Sequence, residues 1–171
     1  MPGAQAHDRI TLITVAIADV VYWTQSPHPS ANLATLFTLA YVFAGYACAG
    51  DLDLMSREYK RWGLLRFIWK PYQMLVPHRS WVSHGLLMGG LIRALYLAIV
   101  LTLLLWLGVW GVSRIGPHLD PNQMAWQQWQ SLLTLAKAHP HETIALSSGF
   151  VLAGTAHSIA DIIWSGIKRR F

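Results

Sequence analysis

The chain alternates long apolar segments with polar stretches that contain proline, a pattern typical of helices crossing a membrane. Residues 31–50 are uncharged and residues 86–112 are interrupted only by Arg93. A helix needs roughly 20 apolar residues to cross the hydrocarbon core of a bilayer. Both segments are therefore predicted to span a membrane.

Two further apolar segments carry ionisable residues. Residues 143–167 are long enough to span but contain a histidine and an aspartate, and residues 10–23 are shorter and contain Asp19. Each is either a span or a helix packed inside a bundle. We predict an all-α integral membrane bundle of about four helices, in up-down-up-down order, forming a single helical membrane domain over residues 1–171.

The segment Ser56–Pro77, between the second and third apolar segments, differs from the rest. Its cations are interleaved with aromatic and aliphatic residues, as in a helix that lies in the headgroup plane of a membrane. Anionic lipid headgroups are the expected partner, nucleic acid is not, and a solvated basic connector is the alternative. The cations are Arg57, Lys60, Arg61, Arg66 and Lys70.

Composition and charge agree with a membrane location. Hydrophobic residues make up 54% of the chain and charged residues 12%, with nine Trp and a mean hydropathy of +0.36. The single cysteine, Cys48, excludes an intramolecular disulfide and a multi-cysteine zinc site. The first residues lack the pattern of a cleaved signal peptide. A protein partner cannot be predicted from this composition.

The distribution of basic residues predicts an orientation. In the up-down-up-down order, one side of the membrane holds most of the cations, and the positive-inside rule places that side in the cytoplasm. Both termini are then cytoplasmic, in a bacterial inner or thylakoid membrane. The cytoplasmic side holds Arg9, the basic segment, Arg79, Lys168, Arg169 and Arg170, and the other side holds Arg114 and Lys137.

Histidines and aspartates collect at the same end of this predicted bundle. His157 and Asp161 are four residues apart and share one face of a helix. Ionisable groups inside an apolar helix are costly and normally functional. Only a cation makes it favourable to gather so many carboxylates there. The predicted metal ligands are His7, Asp51, Asp53, His78, His84, His157 and Asp161.

The ligand types restrict the metal. Imidazole and carboxylate together suit zinc, with manganese or iron(II) as alternatives. Seven residues exceed one tetrahedral site, which leaves either two metal ions or one ion with outer carboxylates that orient its histidines. Deeper in the bundle, Asp19 and Arg93 lie at similar predicted depth and are expected to form an ion pair.

The motifs "HDRIT", "GDLDLMSREYKRWG", "PYQMLVPHRSWVSHG" followed by "RALY", and "HSIAD" resemble an uncharacterised family of small bacterial proteins, mostly cyanobacterial, labelled metal-binding. More distantly, their order is similar to that of membrane-bound metal-dependent hydrolases of unknown substrate. The resemblance covers the whole chain in outline and implies a helical membrane protein with a metal site built from the seven residues above. Gly50 stands where the family pattern favours proline.

Two classes of function follow. In the first, the protein is a metal-dependent hydrolase at the cytoplasmic surface, acting on a phosphoester, with Arg79 stabilising an anionic transition state. In the second, it is not an enzyme: the metal ties helix ends together, and the basic segment docks on lipid or protein. A coordination position left open by the protein would distinguish the classes, because structural zinc sites are closed.

Overall fold

The computed structural model describes residues 4–77, 80, 85–116 and 119–168. This part of the chain contains seven α-helices, two short 3₁₀ helices and no strand. The all-helical prediction is confirmed. The α-helices are α1 (Ala4–Gln25), α2 (Ala31–Ala47), α3 (Arg57–Arg61), α4 (Lys70–Leu75), α5 (Met88–Ser113), α6 (Pro121–Ala138) and α7 (Pro140–Lys168), and the 3₁₀ helices are Gly50–Asp53 and Gly63–Trp69.

Polar caps define where several helices begin. The Ser30 hydroxyl accepts a hydrogen bond from the backbone N–H of Leu33 at the start of α2. The Asp120 carboxylate accepts from the N–H groups of Asn122 and Gln123 at the start of α6, where Pro121 occupies the first turn. These caps satisfy N–H groups that have no partner within the helix.

Four helices, α1, α2, α5 and α7, run in alternating directions. α1 leads away from the end that contains His7, and α2 returns to that end at Asp51, whose carboxylate lies close to His157 on α7. α5 begins at the same end, where the Thr155 hydroxyl of α7 donates to the Leu86 carbonyl. The start of α1 and the second half of α7 therefore lie at the same end of the molecule.

Glycines let the helices approach closely. A methyl group added at Gly149 of α7 would lie 2.4 Å from the Phe37 carbonyl oxygen of α2. One added at Gly45 of α2 would lie 2.4 Å from the Thr11 side chain of α1. Small residues at such crossings are typical of helices packed in membranes. The two contacts fix α2 between α1 and α7.

Three stretches of the described chain are helical, long and apolar enough to cross a membrane. They are Ala31–Asp53, Met88–Ser113 and Pro140–Gly166. This result confirms the potential of the second, third and fourth predicted segments to span. α1 is 22 residues long but is not among these stretches. The predicted count of about four helices in the membrane bundle is therefore not confirmed, and whether α1 spans or packs inside the bundle stays open as in the prediction.

The basic segment differs from the predicted interfacial helix. It is divided into α3, a 3₁₀ helix and α4, and Gly63 has the positive φ of 54° at the first break. Trp69 and Tyr72 are buried at 0% and 1% exposure and pack on Tyr96 of α5. Trp69 and Tyr72 thus form a core with α5, because the bends in the segment bring these two rings together.

The outer side of the same segment remains exposed. Leu64 and Met74 are 94% and 86% exposed, and the exposed Arg66 and Lys70 lie between them in the chain. The cations and half of the apolar residues therefore keep the amphipathic surface that the sequence indicates, while the other half serves the core.

The expected ion pair between Asp19 and Arg93 does not form. The Asp19 carboxylate accepts hydrogen bonds from the Thr38 hydroxyl of α2, at 2.8 and 2.9 Å. Arg93 is 1% exposed and interacts electrostatically with Tyr72 and Asp53 instead. Matching depth was insufficient, because α1 packs on α2 and α7, whereas Arg93 of α5 lies next to Tyr72 of α4.

Candidate metal centre

Three predicted ligands converge where α1 and α7 meet. His7 lies near the start of α1, and His157 and Asp161 lie one turn apart on α7. They are 3%, 5% and 9% exposed, and each offers a ligand atom within 4.8 Å of the others. The spacing of four residues on α7 places its two side chains on one face, and packing of α1 against that face adds the third.

The distances within the cluster fit a metal ion. The imidazole rings of His7 and His157 are stacked with their centroids 4.0 Å apart. Asp161 faces the edges of both rings, with one carboxylate oxygen 3.4 Å from Nε2 of His7 and the other 3.4 Å from Nε2 of His157. Ligand atoms about 2.0 to 2.1 Å from a tetrahedral zinc ion are separated by roughly 3.3 to 3.4 Å. Good N–H···O hydrogen bonds are shorter, about 2.9 Å. The spacing therefore suits ligands around a cation better than a directly bonded pair.

The 3₁₀ helix Gly50–Asp53 adds one carboxylate to this cluster. Asp51 Oδ1 lies 3.9 Å from Nε2 of His157. Asp53 is buried and interacts electrostatically with Arg93 and Tyr72. At three residues per turn, positions two apart leave a 3₁₀ helix on different faces. The two acids of the "DLD" motif therefore have different neighbours, with Asp51 next to the candidate site.

The remaining predicted site residues precede α5 in the sequence. His78, Arg79 and His84 lie outside the described residues. Their part in the site stays a prediction from the sequence. α5 itself begins at the end of the molecule that holds the cluster.

The electrostatics of His7 show the effect of the gathered acids. Burial alone would lower the pKa of His7, but the contact with Asp161 and the negative charges of Asp161, Asp51 and Glu58 outweigh burial and raise it. The acids thus favour a positive charge at this position. A proton on His7 and a divalent cation are alternative ways to supply that charge.

Residues 2–171 match the family described as "Uncharacterized metal-binding protein (DUF2227)". The chain belongs to this metal-binding family. A relative from Aquifex aeolicus (strain VF5), described as an uncharacterized protein, is 28% identical over 134 residues, which cover 78% of this chain and 92% of the relative. No solved structure matches the chain.

The family match confirms the resemblance to an uncharacterised metal-binding family, and the cluster of His7, His157 and Asp161 is consistent with metal binding. Two imidazoles and a carboxylate are ligands of zinc, manganese and iron(II) alike. Nε2 of His7 is buried without a hydrogen-bond partner in the described structure. A buried polar atom of this kind is costly unless bound. The donor set fits a divalent cation, and similarity to hydrolases or to cyanobacterial proteins stays a prediction.

Sequence reasoning missed Glu58, which is buried beside the site. It is 1% exposed, and its carboxylate interacts electrostatically with His7. Glu58 is the one acid in the basic segment, and five surrounding cations conceal it in a charge count. The position of Glu58, five residues after the "DLD" motif, is the one sequence signal that could have marked it as a neighbour of the site.

Asp8, next to His7, ties α1 to the basic segment. Its carboxylate accepts from Arg61 at 2.6 Å and lies 3.6 Å from Arg57. Arg61 also donates to the Tyr46 carbonyl at 2.9 Å and covers the Tyr46 ring. This junction holds the first turn of α1, and with it His7, against the ends of α2 and α3.

A cavity elsewhere in the molecule is separate from the cluster. Its volume is about 440 Å³, and it lies between α1, α2 and the first half of α7. Asp19, Tyr22, Phe37 and His141 are among its mainly apolar lining. No residue of the candidate metal centre lines it.

Proposed function

We propose that the protein is a membrane-embedded, metal-dependent hydrolase with its site at the cytoplasmic end of the bundle and a phosphoester as substrate. The observation that supports this proposal is the buried cluster of His7, His157 and Asp161, with spacings that suit a tetrahedral cation. Arg57, an exposed cation of the basic segment, lies 3.6 Å from the carboxylate of Asp8, next to His7, and would attract an anionic substrate.

The ion would be zinc, or manganese or iron(II), held by His7, His157 and Asp161 with Asp51 nearby. From the sequence we add Asp53, His78 and His84 as further ligands or as carboxylates and imidazoles that orient the ligands. One or two ions fit this number of donors. When bound, the ion supplies Lewis-acid polarisation of a substrate oxygen.

The residues of the chain contribute burial and charge. The three clustered side chains are less than a tenth exposed, so their electrostatic interactions are weakly screened. We propose that Arg79, which lies between His78 and His84 in the sequence, stabilises the negative charge that develops on a phosphoryl group.

The membrane arrangement belongs to the same proposal. Three helical stretches of sufficient length and apolarity support insertion. We assign the protein to a bacterial inner or thylakoid membrane with both termini cytoplasmic, on the basis of the cation distribution. Anionic lipid headgroups would contact the exposed basic segment, and nucleic acid is not a partner.

The alternative function is a structural metal site in a membrane protein that is not an enzyme. Near-complete burial of the three ligands favours it, because a closed site leaves little access for substrate. The ion would then join the start of α1 to the end of α7, and the basic segment would serve as a lipid or protein docking surface.

Hydrolysis assays with detergent-purified protein separate the two functions. We expect turnover of bis-p-nitrophenyl phosphate that a chelator abolishes and zinc or manganese restores. Asp161→Asn should lose this turnover. His139→Ala should retain it, because His139 lies just before α7, far from the cluster. Arg79→Ala should keep the metal but lose turnover by about 100-fold or more. Retained metal without hydrolysis of any phosphoester tested would contradict the enzyme and favour the structural site.

A further inference from the structure

Glu58 is a buried carboxylate whose nearby cation, Arg61, is hydrogen-bonded to other groups. It is 1% exposed, and its Oε2 atom has no hydrogen-bond partner in the described structure. Arg61, one turn along α3, is engaged by Asp8 at 2.6 Å and by the Tyr46 carbonyl at 2.9 Å. A buried carboxylate normally requires a donor, because desolvation without one is costly.

His7 presents the complementary problem. Its Nε2 atom faces Asp161 at 3.4 Å, while its Nδ1 atom is buried without a hydrogen-bond partner. A metal-binding histidine almost always donates its other ring N–H to a carboxylate, a carbonyl or a water. If Nε2 binds the ion, Nδ1–H of His7 needs such an acceptor.

Three carboxylates act electrostatically on His7, and two of them already face the Nε2 atom of a histidine. Asp161 faces Nε2 of His7, and Asp51 lies 3.9 Å from Nε2 of His157. Glu58 is the third. Its unpaired oxygen and the unpaired Nδ1 atom of His7 are both buried at the junction of α1 and α3.

We propose that Glu58 is a positioning residue for the metal site: it accepts a hydrogen bond from Nδ1–H of His7, directly or across one water, when Nε2 of His7 binds the ion. The interaction fixes the tautomer and the ring orientation of His7. It rests on the metal site of the proposed function, but it requires no hydrolase activity.

Zinc affinity of the full-length protein, measured by competition with a chromophoric chelator, tests this role. Glu58→Leu removes the acceptor and should weaken zinc binding by about 10- to 100-fold. Glu58→Gln keeps an acceptor oxygen and should lose less than tenfold. Glu142→Gln, an acid in the first turn of the same helix as His157 and Asp161, should bind zinc like the wild type.

A spectroscopic measurement separates positioning from a general effect on folding. In the proton NMR spectrum of the cobalt-loaded wild type, the Nδ1–H of His7 should give a shifted resonance that exchanges slowly with water. In Glu58→Leu this proton should exchange rapidly with water, and its resonance should disappear. If Glu58→Leu does not fold, Glu58→Gln decides, because an amide acceptor should move this resonance upfield of its position with a carboxylate. An unchanged resonance in Glu58→Gln would overturn the proposal.

The failures are distinguishable. Normal zinc binding by the wild type and equal binding by Glu58→Leu would overturn the role of Glu58 and leave the metal site intact. Absence of zinc, manganese and iron binding by the wild type would overturn the proposed function together with this inference.

Discussion

Replacing Trp69 by alanine tests whether the basic segment is part of the core. Trp69 is completely buried, and its ring lies 5.3 Å from the rings of Trp62 and Tyr96 and 5.8 Å from that of Tyr72. Burial of this kind makes a Trp→Ala change cost about 3 to 5 kcal/mol. Three aromatic neighbours place the expected loss near the upper end of that range.

Two further variants test whether the loss of stability in Trp69→Ala comes from the lost ring packing. Trp69→Phe keeps most of the ring packing, and no hydrogen bond is lost because Nε1 of Trp69 has no partner in the described structure. It should therefore cost clearly less than Trp69→Ala. Phe67→Ala removes a ring that is 53% exposed in the same segment and should cost less than about 1 kcal/mol.

The free energy of unfolding can be measured by denaturant titration in detergent micelles, followed by near-ultraviolet circular dichroism. A segment lying flat in the headgroup region, as the sequence pattern indicates, would make the two rings nearly equivalent. Equal and small losses for Trp69→Ala and Phe67→Ala would refute the core position of Trp69.

Three further predictions concern packing, topology and lipid. Gly149→Ala should destabilise the protein by about 1 to 3 kcal/mol in thermal unfolding, because the added methyl group would lie 2.4 Å from the Phe37 carbonyl oxygen. Gly108→Ala is the control: no atom lies within 4 Å of the added methyl group, so the change should be neutral or stabilising. Reporter fusions at the two termini should both report the cytoplasm, and opposite sides would contradict the proposal that α1 also spans and makes the number of spans even. Anionic lipid should raise the melting temperature more than zwitterionic lipid, and Arg66→Gln with Lys70→Gln should remove the difference; an unchanged difference would exclude headgroup contact there.

Much of the architecture could be predicted because its signals are local. Apolar runs of the right length identify α2, α5 and α7. The interval of four between His157 and Asp161 fixes a shared helix face. His7 could be added because alternating helix directions bring the start of α1 to the end of α7.

Other features depend on which helices pack together, and sequence does not encode that locally. Depth along a helix suggested pairing of Asp19 with Arg93, but α1 packs on α2, where Asp19 meets Thr38, and Arg93 of α5 meets Tyr72. The basic segment gives an amphipathic pattern in either environment, so only the bend at Gly63 reveals that its rings meet α5. Glu58 escaped notice for a similar reason, because its burial results from that folding.

Metal content of the purified wild-type protein, measured by inductively coupled plasma mass spectrometry, tests the central claim most directly. The clustering of His7, His157 and Asp161 within 4.8 Å predicts at least one zinc, manganese or iron ion per chain. His157→Ala should lose the ion, and His139→Ala should retain it. A wild-type protein without any of these metals, or a His157→Ala variant with its full complement, would contradict the claim.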